Sequence, residues 1–281
     1  MLISVYMPTK DRVDLLRSAC RSVLNQSWAD LELIVTDDGS TDGTPDYLTE
    51  LACEDERVSF IRHDTPQGAC KSRNAAILRS RGEFVTGLDD DDEFLPERLT
   101  AFVDFWNFMT AHGHSPAFVY AQDVVVRSPS VRFVWRKAGQ AMADDMYTGN
   151  YVGNQVFAPR EHYLGAGLFN EELGAWQDLE FYLRMLKKYG TAYLLDMATY
   201  VFNNAPRTDR ITGKSRDKVM SAFRAVAKLH AGESRRSRQQ LLLQAFSDYN
   251  GIRPGLRDWV YFLSLRPRWE GTLKMVHATL R

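Results

Sequence analysis

Four consecutive aspartates and a glutamate, Asp89-Asp90-Asp91-Asp92-Glu93, follow directly on the run Glu83-Phe84-Val85-Thr86-Gly87-Leu88. The short, mostly apolar run reads as a buried strand. Adjacent acids repel one another. A fold gathers them at a strand end only where positive charge meets them. A hard divalent cation, Mn²⁺ or Mg²⁺, carrying a substrate's phosphates meets this need, because it takes carboxylate oxygens and leaves coordination places for phosphate. The competing reading is a solvated acidic turn capping the helix that begins near Pro96.

The 281 residues suffice for one large domain, or for one domain and an appendage. Hydrophobic residues make up 44% and charged residues 25%, which supports a packed core and argues against disorder. Cys20, Cys53 and Cys70 are odd in number and lack metal-ligand spacing, which points to reduced thiols in a cytoplasm. The six histidines show no ligand spacing either. The N-terminus starts on strand-like Leu2-Ile3-Ser4-Val5-Tyr6-Met7, so no signal peptide is expected. No run of 18 apolar residues exists, so no membrane span is expected. The net charge of -1 hides an asymmetry: 16 Lys and Arg against 6 Asp and Glu fall in 205–281, leaving 19 against 30 for 1–204. The acidic part is expected to hold metal chemistry, and the basic tail to face something anionic.

Taken in order, residues 2–7 read as a strand broken at Pro8-Thr9-Lys10-Asp11-Arg12. Residues 14–26 have helical spacing, and Leu31–Thr36 is a second strand ending in the turn Asp37-Asp38-Gly39-Ser40. A helix to about Cys53, a strand at 58–62, a helix at 68–81 and a strand at 84–88 follow. This alternation predicts βαβ units and a parallel sheet, with ligand held at the carboxyl ends of the strands. Three loops carrying suggestive residues, Pro8-Thr9, Asp37–Ser40 and the acidic run, would then converge on one edge. Further on, 118–126 and 131–135 alternate like a hairpin around Ser128-Pro129-Ser130. A strand is expected within 149–159, and two closing strands at 194–196 and 199–202.

With these residues in view, the chain resembles the family 2 glycosyltransferases. The resemblance lies in Val5–Arg12, Leu33–Asp42, Ala69-Cys70-Lys71-Ser72-Arg73-Asn74-Ala75-Ala76, Gly82–Val85 and Leu88–Asp92. It covers residues 1–110 strongly and 150–190 more loosely. It implies the GT-A fold, a Rossmann-like, mostly parallel sheet flanked by helices, and inverting, metal-dependent transfer from a nucleotide-diphosphate sugar. By position, Asp38 matches the carboxylate that accepts a hydrogen bond from the base's ring N–H, a task for an acceptor-only group. Pro8 and Thr9 match the loop along the base, and Arg73 a basic residue near the nucleotide. Asp89 and Asp91 match an Asp-x-Asp pair, the first near ribose and metal and the second on the metal. The unbroken run leaves the register open, so Asp90 or Asp92 could replace either.

The segment Trp176-Gln177-Asp178-Leu179-Glu180 is similar to the family's stretch in which a Glu-Asp pair opens a helix and the Asp is the base, with Gln177 standing where the family has the first acid. Asp178 is therefore the expected base, with Glu180 and Glu172 as substitutes. The helix dipole alone would lower its pKa and weaken it. Trp176 and Gln177 are candidate acceptor contacts, although tryptophan is also an ordinary core residue.

The expected organisation is a catalytic domain over 1–204, split into a donor half (1–110) and an acceptor half (111–204), followed by a basic helical extension over 205–281. In the extension, 214–247 read as two helices joined at Ala231-Gly232-Glu233-Ser234, and 255–263 and 269–280 as short amphipathic pieces that contact an anionic membrane surface or pack on the catalytic domain. The expected partners are a UDP-sugar, with dTDP- and GDP-sugars as alternatives, and a glycan or lipid-linked glycan acceptor; nucleic acid is not among them. The expected location is the cytoplasm, and peripherally the inner face of the cell membrane if the extension contacts it. Leu265-Arg266-Pro267-Arg268-Trp269 lacks the glutamine of the Gln-x-x-Arg-Trp motif of processive synthases, so one sugar per binding event is expected. Competing functions are a nucleotidyltransferase, disfavoured because no glycine-rich loop follows the first strand, and a non-catalytic binding module.

Overall fold

Strand β1 (Ile3–Thr9) turns Ile3, Val5 and Met7 to one side and Ser4 and Tyr6 to the other, and all five are buried. Only a central parallel strand covered on both faces accommodates that pattern. The computed structural model describes residues 1–128, 130–153, 155–205, 215–232 and 234–281. Pro129, Asn154, Lys214 and Glu233, on which the hairpin, strand and tail readings touch, lie outside the described residues.

The donor half is built of βαβ units: β1, α1 (Val13–Leu24), β2 (Leu31–Asp37), α2 (Thr44–Glu54), β3 (Val58–Arg62), α3 (Ala69–Arg79) and β4 (Phe84–Gly87). Strands β3, β2, β1 and β4 are neighbours in that order, all parallel. The order reverses direction between β1 and β4, which makes their carboxyl ends a topological switch point, the usual ligand crevice of such sheets.

Beyond the acidic run come β5 (Glu93–Phe94), α4 (Arg98–Ala111), β6 (Val119–Ser128), β7 (Val131–Trp135) and β8 (Gln140–Ala141). They are followed by β9 (Phe157–Pro159), α5 (Arg160–Gly165), α6 (Gln177–Tyr189) and β10 (Ala192–Asn203). Short β9 runs antiparallel to both β4 and β6, and Phe157 pairs with Thr86 on one side and Val119 on the other. It therefore joins the two halves into one sheet, with β6 pointing the same way as β4. Among the described residues, the strand expected within 149–159 occupies its last three. The two closing strands are one strand, β10, interrupted by register shifts between Leu195 and Tyr200.

Two core clusters sit on the two faces of the sheet. One unites Ile3, Val5, Met7, Leu33 and Phe157 with α1, α2 and α4. The other unites Tyr6, Ile34, Tyr120 and Ala158 with α3, α5, α6 and four C-terminal helices, α7 (Arg216–Val226), α8 (Arg235–Ala245), α9 (Leu256–Ser264) and α10 (Trp269–Leu280). Val219, Phe223, Leu241, Phe262 and Met275 from those helices are buried in the same cluster as Phe181 and Tyr182 of α6. A π-helical turn, Ala227–Ala231, separates α7 from α8. Helices α9 and α10 form an antiparallel hairpin: Trp259 Nε1 donates to Thr279 Oγ1 at 3.0 Å, and Gly271 lies against Phe262.

Candidate active site

The acidic run leaves the sheet in an alternating pattern: Asp90 and Asp92 are buried, while Asp89 and Asp91 are partly exposed. Asp90 accepts from Thr9 Oγ1 at 2.8 Å and from Arg12 at 3.0 Å. Burial pushes its carboxyl up to about 6 against the pull of Arg12. Asp92 accepts from Tyr200 Oη at 2.6 Å and from the Asn203 amide at 2.8 Å, and burial raises its pKa well above the carboxylate range. Two of the four acids thus anchor the loop to β1 and β10. The other two, Asp89 and Asp91, stand at the two positions expected for an Asp-x-Asp pair.

Asp89 Oδ1 accepts from Arg73 at 3.0 Å and from Gln155 Nε2 at 3.2 Å. Tyr6 Oη in turn donates to Gln155 Oε1 at 3.0 Å. This chain of bonds crosses β4 at Gly87, where a Cβ would come within 2.1 Å of Gln155 Oε1 and 2.3 Å of the Tyr6 ring. Glycine is needed there for close approach. Arg73, buried on α3 above the Phe169 ring, bridges Asp89 and Gln177 Oε1, each at 3.0 Å. Burial alone would weaken its charge, but Asp89 and Asp178 outweigh burial and raise its pKa. Arg12 also reaches Asp91, at 3.6 Å.

Asp178 lies in the first turn of α6, close enough to Arg73 and Asp89 to feel both charges. Its Oδ1 is buried without a hydrogen-bond partner. Burial pushes the carboxyl up to about 7, opposed by Arg73 and assisted by Asp89. The expectation of a lowered pKa at a helix N-terminus is corrected: desolvation outweighs the dipole. Glu180 cannot substitute for it. It is buried and clamped by Arg184 (2.8 Å to each oxygen) and by His230 Nε2 at 2.9 Å. Glu172 is exposed. Trp176 caps α6 in the left-handed region (φ 59°) and packs half-buried on the core.

On the far side of β1, the Asp38 carboxylate is already engaged. Oδ1 accepts from His63 Nδ1 at 2.9 Å and from the Gln67 amide at 2.7 Å, and Oδ2 accepts from the Gly68 amide at 2.9 Å. Burial raises its pKa, but His63 and the two amides more than compensate, and it stays below the usual carboxylate range. A carboxylate offers about four acceptor positions, so one remains on Oδ2. Pro8 lies in β1, and Thr9 closes it. Arg12, His63 and Gln155 escaped the sequence reading. Arg12 could have been found, since it stands in the loop after β1. His63 and Gln155 reach the site only through tertiary pairing.

Among the described residues no three His, Cys, Asp or Glu side chains cluster as a metal cage. Asp89 and Asp91 nevertheless suit a hard cation that takes its remaining oxygens from phosphate and water. They, and not Asp90 or Asp92, would hold it.

Paired carboxylates at the switch point of a parallel sheet, with an unpartnered acid facing an arginine, make this edge the candidate active site of a GT-A enzyme. The family model "Glycosyl transferase family 2" matches residues 4–159. WcaA of Escherichia coli K12, a glycosyl transferase named for colanic acid biosynthesis, is 33% identical over 272 residues, 94% of each chain. A Campylobacter jejuni protein named GalNAc(5)-diNAcBac-PP-undecaprenol beta-1,3-glucosyltransferase is 31% identical over 171 residues, 60% of this chain and 55% of that one. Among solved structures, Staphylococcus aureus TarS 1–349 in complex with UDP-GlcNAc superposes with a TM-score of 0.70 at 22% identity, over 99% of this chain and 79% of that one. The chain belongs to glycosyltransferase family 2, and its reaction is glycosyl transfer.

Proposed function

We propose that this enzyme moves one sugar per encounter, with inversion, from a UDP-sugar to a hydroxyl of a lipid-linked glycan. The carrying observation is the unpartnered, buried Oδ1 of Asp178 facing Arg73 and Asp89 across the switch point. The UDP-GlcNAc complex of TarS and the undecaprenol diphosphate acceptor in the Campylobacter relative's name support the donor and acceptor classes. In this reading the open acceptor position on Asp38 Oδ2 takes the ring N–H of uracil, with Pro8 and Thr9 along the base. Arg73 holds Asp89 in place beside the ribose and diphosphate. Asp91 and Asp89 would hold a divalent cation, which when bound would supply Lewis-acid stabilisation of the departing diphosphate.

Asp178 accepts the proton of the acceptor hydroxyl. The oxygen attacks the anomeric carbon on the face opposite the diphosphate, the C1–O bond to phosphate breaks with its electron pair, and the configuration inverts. Gln177, tied to Arg73, and Trp176 flank the acceptor. A base with a pKa near ambient pH suits this step. The test is thermal stability with UDP, dTDP, GDP and CMP, each with and without Mn²⁺. A ligand that binds only the folded state raises Tm by mass action. A Mn²⁺-dependent rise with UDP is expected; a rise with GDP or dTDP alone would replace the donor assignment.

A further inference from the structure

The C-terminal hairpin turns large apolar side chains outward. On α10, Trp269, Leu273, Val276 and Leu280 are exposed, Trp269 to 71% and Leu280 to 80%. Their spacing puts them on one arc about 60° wide. Gly271, Met275 and Ala278, on the opposite side of that helix, face the body. Helix α9 repeats the pattern: Leu256, Val260 and Leu263 are exposed, Leu256 to 82%, while Phe262 is buried. Two consecutive helices therefore pack with one face and present a second apolar stripe to solvent. A monomeric soluble surface rarely carries contiguous apolar stripes without a use for them.

The surroundings of the stripes are cationic. Residues 253–281 hold 6 Lys and Arg against 2 Asp and Glu. Arg257, Arg266, Arg268 and Lys274 are exposed, and none of them is ion-paired among the described residues. One of the two acids, Asp258, is taken by Arg216. Narrow apolar stripes bordered by arginine and lysine, with a tryptophan at one end, match helices that lie in a bilayer interface. Anionic headgroups attract such a border. A second copy of this chain would set like charges against each other, so the charge argues for lipid over self-association.

We infer that α9 and α10 seat the enzyme on an anionic membrane surface, stripes in the acyl boundary and basic side chains at the headgroups. This rests on the lipid-linked acceptor proposed above, because a seated enzyme meets that acceptor in the plane of the membrane.

The test is co-sedimentation of the full chain with phosphatidylcholine vesicles, with and without about one-third phosphatidylglycerol, at low and physiological salt. Wild type is expected on the anionic vesicles. Binding should fall roughly tenfold or more in a stripe variant (Leu256→Ser, Val260→Ser, Leu273→Ser, Leu280→Ser) and in a charge variant (Arg257→Gln, Arg266→Gln, Arg268→Gln, Lys274→Gln). All substituted positions are exposed, so both variants should keep the wild-type Tm. Failure of wild type to bind anionic vesicles at low salt would overturn the inference, as would undiminished binding by the stripe variant. So would a wild-type dimer that the stripe variant splits into monomers. Donor turnover in vesicle-free buffer is read separately. Vesicle binding without turnover of a UDP-sugar upholds the surface and refutes the proposed donor; UDP-sugar turnover without vesicle binding does the reverse.

Discussion

Asp178 is costly where it stands. Its folded pKa of about 7 exceeds the value near 3.9 of an unfolded aspartate. Below pH 4 it is protonated in both states and costs nothing. As pH rises the unfolded chain releases the proton first, so the penalty grows at roughly 1.4 kcal/mol per unit and is complete above pH 7. Asp178→Asn should therefore raise Tm at pH 8 and leave it unchanged below pH 4, while lowering kcat by about 10²–10⁴ and sparing donor binding. Wild-type kcat should climb as pH rises towards 7 and level off above it. The neighbouring acids separate by another assay: Asp91→Asn should remove the Mn²⁺-dependent donor shift at unchanged Tm. Asp92→Ala, which strands Tyr200 and the Asn203 amide, should cost about 1–3 kcal/mol in denaturant titration. The sequence offered Asp89 and Asp91 as the Asp-x-Asp pair but left the register open, because identical neighbours carry none. Contacts with β1 and β10, two elements distant in the chain, are what separate buried Asp90 and Asp92 from the two partly exposed acids.

At the scale of elements, the βαβ order was legible, because apolar runs alternate with helical spacing over the first 90 residues. Strand β5 and the position of β9 were not: two or three residues give no periodicity, and their partners lie far along the chain. Helix α6 is tied to the C-terminal part by His230 on Glu180, a contact 50 residues apart that left no local signal, beside the local i,i+4 pair of Glu180 with Arg184. Glu180 would be raised by burial, but His230 and Arg184 outweigh this and hold its pKa below the usual range. Such a group contributes stability above its unfolded pKa and loses it as pH falls through the lower folded value. Glu180→Gln should thus lower Tm at pH 7 and converge on wild type in acid. Gly87→Ala, by pushing Gln155 and Tyr6 aside, should weaken donor binding more than it lowers Tm, as calorimetric titration with UDP and Mn²⁺ would record.

For the whole molecule, helical spacing in 216–280 disclosed a buried face but not what it covers. It covers α6, and the cluster is continuous with that of the sheet. A chain ended after Asn204 should show no cooperative thermal transition, because Phe118, Phe181 and Tyr182 would lose the neighbours that bury them. The basic charge of the tail was plain in composition, whereas the second apolar stripe on α9 and α10 needed the packed face to be known first.

Strand β9 has a consequence for motion. Phe157 is stacked between Phe84 (ring centroids 4.7 Å apart) and Phe102 (5.3 Å), and its backbone pairs with strands of both halves. Among the described residues, donor and acceptor halves therefore share one continuous sheet. Substrates are expected to enter and leave over its rim, by rearrangement of surface segments, and not by opening of the two halves. The radius of gyration from solution scattering should be the same with and without nucleotide.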